Sequence, residues 1–297
     1  MRHHRQHRAV RGAFAATATL ALLALGACTG SDDEPGAETS ADATSEEADP
    51  DDGGTASEQA TASATPTVAP PPADAACYRV TFAETQEAQN DAAGVACGQR
   101  HNAQTFHVGR LSATAPPAAV VSEARDTCRR QLRRHVGATT ERLALSRVES
   151  TFYVPSDEDL AAGARWLRCD VVVKRTADTL ARLPRRSAGM LSDDEALDRW
   201  GACAKTGESG LNEGRGQRIC DLDHTWRAID AQRLGSGDDP YPGRSEVRGD
   251  VLERCEDPAR AWTGNETGDI AVGWRPPTRA AWAAGERFGL CWTRTDQ

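Results

Sequence analysis

The sequence predicts an α+β protein of two related, disulfide-braced units, each mixing short strands with two helices. Three observations predict it. The first is eight cysteines after residue 76 that fall into two sets of four: Cys77, Cys97, Cys128 and Cys169, then Cys203, Cys220, Cys255 and Cys291. The second is that strand-like alternation and helix-like periodicity follow one another within each set. The third is a gapless likeness between the two ends. "PSDEDLAAGARWLRC" (155–169) lies against "PTRAAWAAGERFGLC" (277–291), sharing the proline, Ala-Ala-Gly, Arg165/Arg287, an aromatic and the last cysteine. Self-similarity in register with cysteines marks an internal repeat, here over 77–185 and 196–297. Units of this size bury only a modest core alone, so the two are expected to pack into one body.

Ahead of these units, "MRHHRQHRAVRG" is basic and "AFAATATLALLALGA" is an apolar run of 15 residues. A membrane-crossing helix needs about 20 residues, so 1–27 reads as a secretory signal. It ends in Leu25-Gly26-Ala27-Cys28, which resembles a bacterial lipobox. Cys28 is therefore the expected lipidation site, carrying diacylglyceryl and a further acyl chain such as palmitate. At ~0.8 kcal/mol per buried CH₂, two or three chains hold a protein on a membrane without a spanning segment. The expected location is the outer face of the cytoplasmic membrane, with membrane lipid as the partner of the anchor.

Residues 28–76 hold twelve Asp or Glu and no Lys or Arg. Such a segment cannot bury enough apolar surface to offset the entropy of ordering, so a disordered acidic, Pro-rich tether is expected. The net charge of −9 belongs mainly to it: from Cys77 onward, 31 basic residues meet 32 acidic ones. With no basic patch and no helix-turn-helix, zinc-finger or RNP-like pattern, nucleic acid is not an expected partner.

Cysteine arithmetic supports the same compartment. Nine cysteines are an odd number until Cys28 is set aside. The remaining eight, in an oxidising environment, read as four disulfides. Four cysteines allow three pairings within a unit. We expect 77–97, closing a strand connection, and 128–169, fastening a helix, with 203–220 and 255–291 as counterparts; a 97–128 or cross-unit 169–203 bond would contradict this.

In the first unit, "CYRVTF" and "TFHVGRL" alternate as strands do. Val120, Ala124, Cys128, Leu132 and Val136 recur every four residues behind prolines, the mark of an amphipathic helix. Its Arg129, Arg130, Arg133 and Arg134 read as a solvated face. "ERLALSRVESTFYVP" follows as strand material. Ser156 with Asp159 is a capping box expected to open a helix reaching Arg165–Arg168, and "CDVVVKR" closes the unit as a strand. In the second unit "LGSGDDPYPGRSEVRG" reads as loop, and Pro258 is expected to end or kink the helix that carries Cys255.

These residues resemble the septum-formation domain family of actinobacterial membrane proteins and lipoproteins. Cys77-Tyr78-Arg79-Val80, the Val95–His101 segment and Arg165-Trp166-Leu167-Arg168-Cys169 carry the resemblance in one copy. Cys220–His224, Trp282 and Arg287-Phe288-Gly289-Leu290-Cys291 carry it in a second, diverged copy. Leu160 stands where the resemblance leads one to expect tryptophan, and Trp200-Gly201-Ala202-Cys203 replaces a cysteine followed by an aromatic. The resemblance implies a link to division septa or the envelope, marks His101, His224, Arg165 and Arg287 as motif positions, and implies no chemistry.

The repeated Cys-x-x-x-His, at Cys97/His101 and Cys220/His224, could hold a metal. Zinc, however, needs three or four ligands and free thiolates, so the expectation is bridged cysteines, turn-capping histidines and no metal. His107 and His135 have no histidine counterpart in the second unit. There is no Gly-x-Ser-x-Gly, His-Glu-x-x-His or phosphate-loop motif, and no cofactor is expected. The functional expectation is a non-catalytic module binding an envelope protein or cell-wall glycan. The alternative is an envelope hydrolase centred on His224 with Asp221, Asp223 and a serine. Of seven tryptophans, most are expected in cores, with Trp226, Trp262 and Trp274 as candidates for a shallow binding groove.

Overall fold

The structure, a computed structural model, describes residues 68–295 except positions 238, 244 and 245. The expected signal, Cys28 and most of the tether lie outside the described residues. The described residues fall within one compact unit.

The first half contains β1 (Cys77–Tyr78), β2 (Ala103–Arg110), α1 (Pro117–Val136), α2 (Thr140–Ala144), β3 (Val148–Tyr153), α3 (Asp157–Ala161) and β4 (Trp166–Val173). Helix α1 starts with proline, whose missing N–H is no loss at a helix start. It stops at Gly137 (φ 70°), where the glycine N–H donates to Arg133 O and Arg134 O and cationic side chains fill the last turn. Its Val120, Ala124, Cys128, Leu132 and Val136 are all buried.

Two boundaries differ from the sequence expectation. Residues 140–144 are not strand: the Thr139 hydroxyl accepts from the Arg142 N–H at 3.1 Å and closes the short helix α2, so the strand begins only at Val148. The capped helix also stops earlier. Ser156 Oγ accepts from the Asp159 N–H at 3.1 Å as the cap requires, but α3 ends at Ala161, Gly163 turns left-handed (φ 103°), and Trp166 already lies in β4. A left-handed residue costs glycine little and breaks helical propagation.

The second half contains α4 (Ala196–Trp200), β5 (Ala202–Ala204), α5 (Glu208–Asn212), β6 (Gln217–Ile219), β7 (Trp226–Arg233), α6 (Glu246–Thr263), β8 (Val272–Arg275), α7 (Arg279–Ala283) and β9 (Phe288–Arg294). Helix α6 continues through Pro258 rather than ending there. Cys255 and Ala259, buried on either side of the proline, hold both segments against the sheet.

Two antiparallel sheets result, in the orders β1-β2-β4-β3 and β6-β5-β7-β9-β8. Apart from β6, the strands follow one another identically. Each sheet has a β-bulge on its long central strand, between Thr105 and His107 and between Ala228 and Asp230, after which His107 faces Cys169 and Asp230 faces Cys291. The four disulfides also correspond: 77–97 with 203–220, and 128–169 with 255–291.

The halves share a core. Leu132, Val136, Val148, Val171 and Val173 pack in one cluster with Ala196, Trp200 and Ile219. Backbone bonds stitch the seam: Arg147 N–H donates to Trp200 O and Ala202 N–H to Leu145 O, each at 2.8 Å, and Ile219 N–H to Arg175 O at 3.0 Å.

Candidate functional site

The repeated Cys-x-x-x-His closes a turn in both halves. Cys97 and Cys220 are in disulfides. Each histidine is 2% exposed and turns its Nδ1 to the carbonyl two residues earlier, His101 to Gln99 O at 2.9 Å and His224 to Leu222 O at 2.7 Å. The carbonyl acceptor makes Nδ1 the donor. The Nε2 atoms differ: that of His101 meets Pro184 O at 3.1 Å, whereas that of His224 is buried without a partner among the described residues. Beside it, Asp223 is paired with Lys205, whose hydrogen bond and charge hold the carboxyl below its usual range. No serine hydroxyl reaches His224 among the described residues, where no cluster of three or more metal-ligating side chains is formed either.

The arginines of the repeated Arg-aromatic-x-x-Cys fasten loops. Arg165 Nη1 donates to Leu160 O at 2.6 Å and Ala164 O at 2.7 Å, tying off α3. Arg287 is buried, lies 4.0 Å over the Trp282 ring and donates to Asp239 O at 3.0 Å and Gly237 O at 2.6 Å.

The three candidate tryptophans separate. Trp226 and Trp274 are 3% exposed, so neither lines a surface groove. The Trp226 indole N–H donates to Thr206 O at 3.1 Å. Trp274 lies so close over Gly289 that a Cβ there would sit 1.7 Å from its ring. These rings fill a core poor in other large side chains. Trp262, at the end of α6, is 44% exposed. The Arg227 guanidinium stands 5.7 Å from its ring centre and pairs with Asp198 at 2.6 Å. Of the three, Trp262 alone stays on the surface.

Two polar clusters carry no sequence signal. Arg168 is sandwiched between Tyr78 and Tyr153, at 4.2 and 4.3 Å, and pairs with Asp170 at 3.0 Å, both charges being buried. Thr105 Oγ1 donates to Asp170 at 2.7 Å and Arg168 Nη2 to Asn90 Oδ1 at 3.0 Å. Burial pushes the Asp170 carboxyl up against the pull of Arg168, and lifts the Tyr153 phenol to about 12. The second cluster puts Ser187 Oγ 2.9 Å from His135 Nε2. Ser187 is fully buried and gives its proton to Gln104 Oε1 at 2.5 Å, while burial lowers the His135 pKa. That arrangement locks the segment after β4 onto α1.

The fold and these sites define a disulfide-braced α+β domain whose repeated motif residues organise backbone. Four disulfides place such a domain in an oxidising, extracytoplasmic compartment. No helix among the described residues is long and apolar enough to cross a membrane. The septum-formation family matches residues 124–291, more than half of the chain, and the chain belongs to that family. The match is one continuous span running from α1 to Cys291, so the expectation of two family copies is replaced by a single match across both sheets. No curated protein and no solved structure matches the chain.

Proposed function

We propose that this protein is a non-catalytic, lipid-anchored module of the cell envelope that works in septum formation by binding a protein or cell-wall glycan. Membership of the septum-formation family carries the reading. An anchor at Cys28 would hold the domain on the outer face of the cytoplasmic membrane, with residues 28–76 as tether and 77–185 and 196–297 as duplicated units. The matching strand orders and disulfides support duplication within the one family domain. Burial of His224 and its lack of a serine neighbour favour binding over a His224-centred hydrolase.

The binding face we assign is Trp262 with Arg227 and Asp198, since exposed aromatic and arginine side chains dominate binding hot spots. The test images the tagged full-length protein in dividing cells and follows its co-sedimentation with purified sacculi and its crosslinking to septal proteins. Accumulation at the septum, membrane fractionation lost in Cys28→Ala, and capture reduced about tenfold or more in Trp262→Ala with unchanged circular dichroism are expected. Uniform distribution around the cell, or a hydrolytic rate abolished by His224→Ala, would overturn the reading.

A further inference from the structure

The long helices of the two halves carry opposite charge. Helix α1 holds five arginines against two carboxylates. Helix α6, fastened to its own sheet by the corresponding disulfide, holds three arginines against five carboxylates. A basic outer face is therefore not something this fold needs. Nor does it reflect the whole domain, which sets 31 basic residues against 32 acidic ones from Cys77 onward.

The structure brings a second run of arginines to that face. The segment after β4 is bound to the end of α1. Ser187 Oγ lies 2.9 Å from His135 Nε2, and Gly189 N–H donates to His135 O and Leu191 N–H to Val136 O, both at 2.9 Å. Arg133 and Arg134 directly precede His135, and Arg185 and Arg186 directly precede Ser187. With Arg130, one turn earlier on α1, five exposed arginines gather around this contact. None of the five forms an ion pair among the described residues. Arg130 and Arg134 reach only neutral side chains, Thr127 and Gln131, each at 3.0 Å. Of the carboxylates flanking the cluster, Asp126 is held by Arg129 at 3.4 Å and Asp194 by Arg142 at 3.1 Å. Cations in a last turn suit the negative end of a helix. That accounts for Arg133 and Arg134 but not for Arg185 and Arg186.

We propose that this arginine cluster docks on the surface of an anionic lipid bilayer. Clusters of about four to eight basic residues are what anionic headgroups hold, each residue contributing about fivefold in affinity. The cluster has no apolar centre: the exposed large apolar side chains among the described residues are Val68 and Trp262, and neither belongs to it. A protein partner would engage aromatic or aliphatic anchors at the middle of the contact. A surface of many headgroups needs only unpaired cations spread across it. The bilayer is chosen over another polyanion because the anchor proposed at Cys28 keeps it within reach, a choice that rests on that reading. Docking would fix which face of the domain meets the membrane, which an acyl anchor at Cys28 alone does not.

The experiment takes the mature chain without its anchor, residues 29–297, and sediments it with vesicles of phosphatidylcholine, alone or mixed with phosphatidylglycerol. Binding to the mixed vesicles only is expected, and its loss at about 1 M salt, where charges are screened beyond about 3 Å. Arg133→Gln with Arg134→Gln should weaken it about twentyfold or more, and so should Arg185→Gln with Arg186→Gln. Arg254→Gln with Arg294→Gln removes the same charge from exposed positions elsewhere and should leave binding unchanged. All six side chains are exposed, so unchanged circular dichroism is expected throughout. The assay does not use the anchor, and the cluster shares no residue with the Trp262 face, so each proposal can fail without the other. No binding to mixed vesicles, undiminished binding in either cluster pair, or an equal loss in the Arg254 and Arg294 pair would overturn the proposal. Binding to soluble polyphosphate without binding to vesicles would overturn it in favour of an anionic polymer.

Discussion

Arg168 and Asp170 show how differently one position can be used in the two sheets. Counting from the paired cysteines Cys169 and Cys291, their counterparts are Leu290 and Trp292, which fill the same strand positions without charge. The ion pair is therefore one of two ways to build this strand. Removing one member leaves the other buried and uncompensated, which typically costs about 3–5 kcal/mol. Arg168→Leu should lose stability in that range in denaturant unfolding, while Arg168→Leu combined with Asp170→Val should recover a large part of it. A double variant no more stable than the single would show that the Tyr78–Arg168–Tyr153 stack, and not charge compensation, carries the cluster. Nothing in the sequence pointed to this pair: a charged i, i+2 pair on a strand reads as a solvated face until the segment around Thr85 and Asn90 is folded over it.

At the scale of elements, each long helix is fastened to a central strand by a disulfide, α1 to β4 and α6 to β9. The covalent tie explains why α6 tolerates Pro258: packing and the crosslink at Cys255 hold the helix on both sides of the missing hydrogen bond. The 128–169 bond closes a loop of 41 residues and should stabilise the protein by about 4 kcal/mol through the unfolded chain. Cys128→Ala with Cys169→Ala should lower the denaturation free energy by about that amount, measured against an unreduced wild type. A change below about 1 kcal/mol would mean that the reduced chain keeps residual structure around α1. Periodicity located α1 because one face of it, Val120, Ala124, Cys128, Leu132 and Val136, is buried. It missed α2 because a five-residue helix built on one threonine cap has no face to show.

At the scale of the whole molecule, the halves resemble each other but do not stand alone. Leu132, Val136 and Val148 of the first half are covered by Trp200 and Ile219 of the second, and Arg147 reaches across to Gln217. Residues 77–185 expressed alone, even with both disulfides formed, should therefore expose this apolar face. Fluorescence of a hydrophobic dye and rapid limited proteolysis are the expected results, against protection in the full chain. A protected, cooperatively melting fragment would show that each half is an independent domain.

By itself the sequence determined the α+β class, the eight cysteines and their register, the buried face of α1 and the turn made by Cys-x-x-x-His. Each rests on local spacing, and local spacing survives any arrangement of distant parts. Tertiary structure alone decided which tryptophan stays on the surface. Trp226 and Trp274 sink into the second sheet because Gly273 and Gly289 leave space opposite their rings, while Trp262 stands at the end of α6 with its ring open to solvent. It alone also set Arg168 between Tyr78 and Tyr153 and against Asp170. Tyr78 lies far from Arg168 in the chain, and only the pairing of β1 with β2 and of β2 with β4 makes them neighbours.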